Sequence, residues 1–511
     1  MVATVRETER KYEVVDGVEL PGWAGLAGVE SLVGPEEQTL EAVYFDTEDL
    51  RLARAGVTLR RRRGGHDAGW HLKLPVGGDS RDEVRVGDAR AVRRRTPPAE
   101  LVGLVRALTR GARLAPVAEL ATARRRWRLT DEDGQVLVEV VDDHVSAHTL
   151  GSSTSGMSWR EVEVELGGRG DVELLERVEG RLLEGDVRRS DARSKLGRVL
   201  GERLPAPTPP EPVQRPGRTS RVGEVVVAYL REQAEAIVWG DPAVRRDVPD
   251  AVHGMRVATR RLRSALQAYG RVVDRAATRE LGGELKWLAG VLGGARDLEV
   301  LHSRFTRAVA GLPAESVVGP VQARLTRYFA GREADARGAL IAALDSERYL
   351  ALLGAIDQLL ADPPLTRLAC GKARRELPAM VGRAHRRVAG HVEAAEGMAS
   401  GDERDAQWHE ARKAAKRLRY AAEAAAPALG KPADRLVKRV KRVQELLGDH
   451  QDAVVARPVL REIGMVAHLE GENGFTYGLL HQLQTDIGRL SEGEITQAWR
   501  DLRRSVRELG A

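Results

Sequence analysis

The chain has 511 residues, 81 Lys and Arg against 75 Asp and Glu, a net charge of +6, and 42% hydrophobic residues. That length provides for two or more domains with real cores, and no apolar run is long enough to span a membrane. Cys370 is the single cysteine, which excludes disulfides and cysteine-cluster metal sites within one chain and fits a reducing cytosol.

The first predicted strand begins at once, without a charged-then-apolar leader, and carries Glu7-x-Glu9-x-Lys11. Alternate side chains of a strand share a face, so the two carboxylates and the lysine point the same way. Adjacent carboxylates repel unless a divalent cation lies between them, and the lysine can hold an anion touching the same cation. Alone, these three residues fit a solvated edge strand equally well. The following strands change that. Arg60 and Arg62 alternate, as do His71 and Lys73, then Arg81, Glu83 and Arg85, then Arg124, Arg126 and Arg128. Glu139 and Asp143 share parity, and Glu161, Glu163 and Glu165 face away from Val162 and Val164. Charge of both signs at period two in strand after strand predicts a closed barrel with a charged, water-filled lumen. Enclosed charges need partners: acids would hold metal, and bases a polyanion.

These motifs resemble the CYTH family, the triphosphate tunnel metalloenzymes. The likeness runs through Glu7-x-Glu9-x-Lys11, Tyr44-Phe-Asp-Thr47, Leu59-Arg-Arg-Arg62, Leu72-Lys-Leu-Pro75, Arg81-x-Glu83, Glu161-x-Glu163-x-Glu165 and Ser194-Lys-Leu196, over residues 1–204. It implies an eight-stranded antiparallel β tunnel with helices outside. It also implies that Glu7, Glu9, Asp143, Glu161, Glu163 and Glu165 hold one or two divalent metals, Mg²⁺ or Mn²⁺. Asp142 and Asp143 could each supply the ligand on that strand, and Asp143 is the choice. Lys11, Arg60, Arg62, Lys73, Arg81, Arg124, Arg126 and Lys195 would grip the phosphate chain. Glu163 and Glu165 are the candidates to orient the attacking water, with Lys11 at the reacting phosphate. No diagnostic position is lost. Phosphoryl transfer needs mostly positioning and electrostatics, so the lack of a Ser-His-Asp arrangement is no objection.

A Pro-rich stretch, residues 205–216, reads as a semi-rigid linker between residues 1–204 and 217–511. Beyond it, long Ala/Leu/Arg-rich helical segments with short Gly or Pro breaks contain an internal duplication. His253-Gly-Met-Arg-Val-Ala-Thr-Arg-Arg-Leu-Arg263 matches His409-Glu-Ala-Arg-Lys-Ala-Ala-Lys-Arg-Leu-Arg419, and residues 285–297 match 440–452. Val252, Met255, Thr259, Leu262 and Leu266 form a buried seam at helical spacing, and His253, Arg256, Arg260 and Arg263 a basic stripe beside it. Trp408, Ala411, Ala415 and Leu418 repeat the seam; His409, Arg412, Lys416 and Arg419 repeat the stripe. The two histidines read as structural or anion-contacting groups rather than metal ligands. Asp297 and Asp452, just past glycines, read as caps of following helices.

This half resembles the CHAD family, the conserved histidine α-helical domain. The likeness implies an all-α domain of two pseudo-symmetric four-helix bundles that binds inorganic polyphosphate on basic surfaces. The implied contacts are His253, Arg256, Arg260, Arg263, Lys286, His409, Arg412, Lys416, Arg419 and Lys441. The expectation for the whole chain is a multidomain α+β triphosphatase acting on inorganic triphosphate or short polyphosphate, cytoplasmic and associated with polyphosphate granules. Alternatives are a non-catalytic polyphosphate-binding protein, or an enzyme acting on thiamine triphosphate or ATP. Nucleic acid is disfavoured, because only 4% of residues are aromatic and none interleaves with the basic stripes. The sequence leaves the oligomeric state open.

Overall fold

A computed structural model describes residues 2–23, 25–87, 93–151, 154–204 and 216–508. The chain divides into two compact units, Met1–Pro210 and Glu211–Ala511. Apart from residue 216, the Pro-rich stretch lies outside the described residues.

The first unit is the expected closed antiparallel barrel. Its strands are β1 (Val2–Val14), β2 (Ser31–Asp46), β3 (Thr58–Arg63), β4 (Gly69–Gly77), β5 (Ser80–Val86), β6 (Ala115–Thr130), β7 (Val136–Thr149) and β8 (Gly156–Leu166), with a short β9 (Val187–Arg189) added beside β1. The order is β5-β4-β3-β2-β6-β7-β8-β1, and β1 closes the ring by pairing also with β5. The seam falls inside the opening motif. Val2–Thr8 of β1 pairs with β5, bringing Glu7 opposite Arg81, whereas Glu9–Val14 pairs with β8, bringing Glu9 opposite Glu165.

Polarity is inverted relative to an ordinary barrel, because the apolar faces point outward under helices. Among the described residues the helices flanking the strands include α1 (Arg51–Arg54), α2 (Ala99–Thr109), α3 (Val172–Leu183) and α4 (Lys195–Leu200). Val138, Val140, Val162 and Val164 pack against Leu174, Leu175, Val178 and Leu182 of α3. Leu120, Val145 and Ala147 pack against Leu196, Val199 and Leu200 of α4. Each such leucine contributes about 1.5–3 kcal/mol by burial. Two sequence motifs serve this framing. Buried Asp46 accepts from the backbone N–H of Thr47, Leu52 and Ala53 (2.7, 2.9 and 2.8 Å), fixing α1 at the end of β2. Ser194 caps α4 by accepting from Gly197 N–H at 3.0 Å, which makes Lys195 the first helical residue.

The second unit is helical: α5 (Val222–Arg245), α6 (Ala251–Ala268), α7 (Arg279–Ala310), α8 (Val321–Asp345), α9 (Glu347–Ala361), α10 (Ala373–Glu396), α11 (Asp402–Leu429), α12 (Lys431–Leu469) and α13 (Phe475–Glu508). Successive helices α5 to α8 pack on one another, as do α10 to α13, and α6 meets α11. One core draws on both halves of the duplication: Phe305 of α7, Phe329 of α8, Leu460 and Ile463 of α12, and Tyr477 and Leu480 of α13. Several expected breaks are absent. Gly293 and Gly294 lie within α7, Gly448 and Pro458 within α12, and Pro242, Pro378 and Pro427 inside α5, α10 and α11. Asp297 and Asp452 are therefore mid-helix residues and cap nothing. No helix among the described residues is long and apolar enough to cross a membrane.

Candidate functional site

The barrel encloses a cavity of about 550 Å³. Lys11, Arg60, Arg62, Lys73, Arg81, Arg124, Arg126 and Lys195 all line it, together with Glu7, Glu9, Glu163 and Glu165. Strand parity explains the selection. Arg125, one residue out of phase, pairs instead with Asp142 at 2.8 Å, and Asp142 is also held by Arg160 at 2.9 Å. Asp143 faces the other way, to Arg124 at 2.7 Å and Lys195 at 3.0 Å.

The acids form two clusters, Glu7/Glu9/Glu165 and Asp143/Glu161/Glu163, each with ligand oxygens within 4.8 Å of one another. Lysines pair with both, and Lys11 bridges one to the other. Lys73 lies 2.7 Å from Glu7 and 3.5 Å from Glu9, and Lys11 contacts Glu163 and lies 3.4 Å from Glu9. Lys195, delivered by α4, reaches Asp143, Glu161 and Glu163 at 3.0, 2.7 and 2.8 Å. Burial works to raise the Glu9 pKa, but Lys11 and Lys73 overcome it and hold the group down at about 2. Burial likewise opposes ionisation of Glu163, and Lys11, Lys195 and Arg124 keep it well below the usual range. Glu165 behaves differently: burial, reinforced by the Glu7 charge, pushes it up to about 7. Burial, with Arg60 and Arg124 nearby, lowers Arg62 to about 9. Divalent cations fit this donor set. Glu7 Oε2, Glu9 Oε1 and Glu161 Oε1 are buried and accept no well-formed hydrogen bond despite the cations around them.

Three groups outside the predicted set belong to the same wall. Buried Glu83 lies 3.0 Å from His71 Nδ1 and contacts Arg85, whose other nitrogen reaches Glu7 at 2.7 Å; His71 Nε2 donates to the Asp67 carbonyl at 2.7 Å. Their signal was present as the alternation Arg81, Glu83, Arg85 beside His71 and Lys73. Glu36 was not legible in that way: it accepts from Arg126 and Arg128 across β2 and β6.

In the helical unit the two basic stripes face each other. Arg256 contacts Asp297 at 2.8 Å and leans on Gly293; at equivalent positions Arg412 contacts Asp452 at 3.3 Å and leans on Gly448. A Cβ at either glycine would lie 3.4 or 3.6 Å from the guanidinium nitrogen, so each arginine packs directly on its helix glycine. Arg260 and Lys416 lie between them with no carboxylate partner among the described residues. Burial, then Arg260, Arg412 and Arg256, lower the Lys416 pKa to about 6. The remaining predicted contacts are dispersed. Arg263 donates to the Gly282 carbonyl, His409 contacts Gln451, Arg419 pairs with Glu423, and exposed Lys441 pairs with Glu445. His253 and Lys286 are exposed.

A CYTH domain is matched over residues 5–193 and a CHAD domain over residues 228–461. Uncharacterized proteins from two strains of Mycobacterium tuberculosis are 39% identical over 529 residues, covering 98% of this chain and 97% of theirs. Among solved structures, PptA from Streptomyces chartreusis aligns with a TM-score of 0.47 and 22% identity over 55% of this chain and all of its own. The CHAD domain from the plant Ricinus communis aligns with a TM-score of 0.40 and 24% identity, covering 57% of this chain and 93% of that one. Barrel, helical unit and motifs agree with the two domain matches, and the chain belongs to the proteins that join a CYTH domain to a CHAD domain.

Proposed function

We propose that this chain hydrolyses inorganic triphosphate or short polyphosphate in its tunnel, with Mg²⁺ or Mn²⁺, and holds longer polyphosphate on its helical unit. The observation that carries this reading is the cavity itself, lined by eight cations and by Glu7, Glu9, Glu163 and Glu165 of the two carboxylate clusters. A triphosphate bears several charges, and buried guanidinium and ammonium groups bind it far better than exposed ones. Lys11, Lys73 and Arg81 would neutralise charge that grows on the phosphate in the transition state. A divalent cation held by the acidic clusters would add charge neutralisation and Lewis acidity at phosphate oxygens. Of the two carboxylates proposed to orient water, Glu163 is locked by Lys11, Lys195 and Arg124. Glu165 has no ion pair among the described residues, so it is the freer of the two and the better candidate.

On the helical unit, Arg260 and Lys416 support polyphosphate binding because they face one another's repeat without acidic partners. A chain with one charge per phosphate would release counterions on lying across them, as nucleic acid does on basic tracks. Joining the units would raise substrate concentration near the tunnel, so removing residues 217–511 should slow turnover of long chains at low substrate. The reading puts the protein in the cytoplasm, on polyphosphate granules.

The test is orthophosphate release from tripolyphosphate with and without Mg²⁺ or Mn²⁺, with ATP and thiamine triphosphate as rival substrates. Fast, metal-dependent release from tripolyphosphate is expected. Silence on all three, with retained polyphosphate co-sedimentation, would make the protein a non-catalytic binder. Competition of long polyphosphate against duplex DNA at matched phosphate and salt separates this reading from nucleic-acid binding.

A further inference from the structure

Several carboxylates at the tunnel belong to neither acidic cluster, among them Glu83, Glu139, Glu36 and Asp67. Glu36 lies on β2 and Asp67 in the turn between β3 and β4, at the barrel end where that turn lies. Asp67 pairs with Arg62. Glu36 accepts from Arg126 at 2.6 Å and Arg128 at 2.8 Å, and His66 of the same turn lies 2.8 Å from it. The acids are about a third exposed, 35% and 34%, whereas Arg126 and Arg62 are only 16% and 8% exposed. So the rim acids have solvent on one side, and the arginines have little besides these acids and, for Arg126, the more distant Glu139 at 3.8 Å.

The backbone beneath Asp67 is held in place. Gly64 has φ 77°, and a Cβ there would lie 2.2 Å from the Thr39 carbonyl oxygen, so the turn presses directly on β2. What can move is the carboxylate side chain. A carboxylate and a phosphate offer a guanidinium the same planar pair of oxygens, so one can replace the other. Stripped of both, a buried guanidinium would be left unpaired in low dielectric at high cost.

We propose that Glu36 and Asp67 are placeholders for substrate phosphates. They satisfy Arg126 and Arg62 in the free tunnel, and an entering phosphate chain must displace them. Displaced, each acid turns to water at the rim. The exchange sets apparent affinity and favours ligands with enough charge to win both arginines, a triphosphate over orthophosphate or pyrophosphate. The inference rests on the reading that Arg62 and Arg126 hold substrate. A purely orienting role for these acids gives the opposite sign, because removing an orienting partner weakens binding.

The experiment compares the full chain with Glu36→Gln, Asp67→Asn and the double variant. If the acids compete, the double variant binds tripolyphosphate about threefold to tenfold more tightly, and KM falls with it. Pyrophosphate inhibition should tighten by at least the same factor, narrowing the preference for triphosphate. Unchanged or weaker binding, in variants with wild-type melting and near-ultraviolet circular dichroism, would overturn the placeholder role. Calorimetric titration of tripolyphosphate reads this affinity without turnover. An inert wild type would therefore defeat the proposed hydrolysis while leaving the placeholder test intact.

Discussion

Every predicted cation of the tunnel has a carboxylate within ion-pair distance, whereas Arg260 and Lys416, at the centre of the helical cleft, have none among the described residues. Both regions gather positive charge, and both are read as phosphate sites, but they keep that charge differently. In the tunnel, cations and acids interleave, so an incoming phosphate must replace an acid or arrive where a metal has taken the acids over. Such a lattice discriminates by geometry. The cleft offers a polyanion cations with no acid to displace among the described residues, and its attraction is softer and more sensitive to salt.

The comparison breaks most simply at the tunnel. Glu7→Gln with Glu9→Gln should lower metal-dependent release from tripolyphosphate at least about 100-fold, since even groups one step removed from a metal are worth about 10–100-fold. Retention of the cleft's affinity for long polyphosphate in the same variant is expected, measured by fluorescence anisotropy. Turnover within tenfold of wild type at saturating Mg²⁺ would mean that the acids are there to hold lysines in place rather than metal.

A smaller effect is expected at the cleft. Arg260→Ala with Lys416→Ala should weaken long-chain polyphosphate binding about tenfold and make the dependence of log affinity on log salt shallower by about one to two. Tripolyphosphate turnover should be untouched. An unchanged salt slope would show that polyphosphate lies elsewhere, for instance along Lys286 and Lys441.

How much of this could be read from the chain depends on range. Period two in β1, β3, β6 and β8 is local, so inward-facing Lys11, Arg60, Arg124 and Glu163 were legible one strand at a time. Barrel closure is not local. That Glu7 sits opposite Arg81 while Glu9 sits opposite Glu165 follows from β1 changing partners within its own length, which no pattern in β1 records. Choosing between Asp142 and Asp143 likewise needed β6, whose register sets Arg125 against one and Arg124 against the other. Glu36 was invisible because it interrupts no alternation of its own; it matters only through Arg126 and Arg128. In the helices, the stripes were legible at 3.6-residue spacing, but two stripes in sequence could have meant two sites. Packing of α6 on α11 merges their central charges into one cleft. The aspartates misread as caps show the same limit. Gly-x-x-x-Asp looks like a helix break followed by a cap, and only the neighbouring helix reveals a glycine on which Arg256 or Arg412 packs, with an acid to hold it.

The finest distinction between the two regions is in their protons. Lys416 is flanked by Arg412 on its own helix, by Arg256 and Arg260 of α6, and by Asp452 of α12, an acid already engaged with Arg412. Burial and those guanidiniums lower its pKa from 10.5 to about 6. Between those values the unfolded chain carries a proton that the folded one lacks, so this residue costs stability, increasingly as pH falls from about 10 to about 6. A bound polyanion reverses the balance, because the charged ammonium is then the favoured form. Binding of polyphosphate near pH 7.5 should therefore take up a fraction of a proton, and affinity should rise a few-fold as pH falls from about 8 to about 6. Calorimetric titrations in two buffers of unlike ionisation enthalpy would show the uptake as a difference in heat. Lys416→Arg, charged throughout, should abolish both the difference and the slope. Equal heats for the wild type would mean either that Lys416 is already charged in the free cleft or that polyphosphate does not reach it, and the salt slope of Lys416→Ala alone decides between the two.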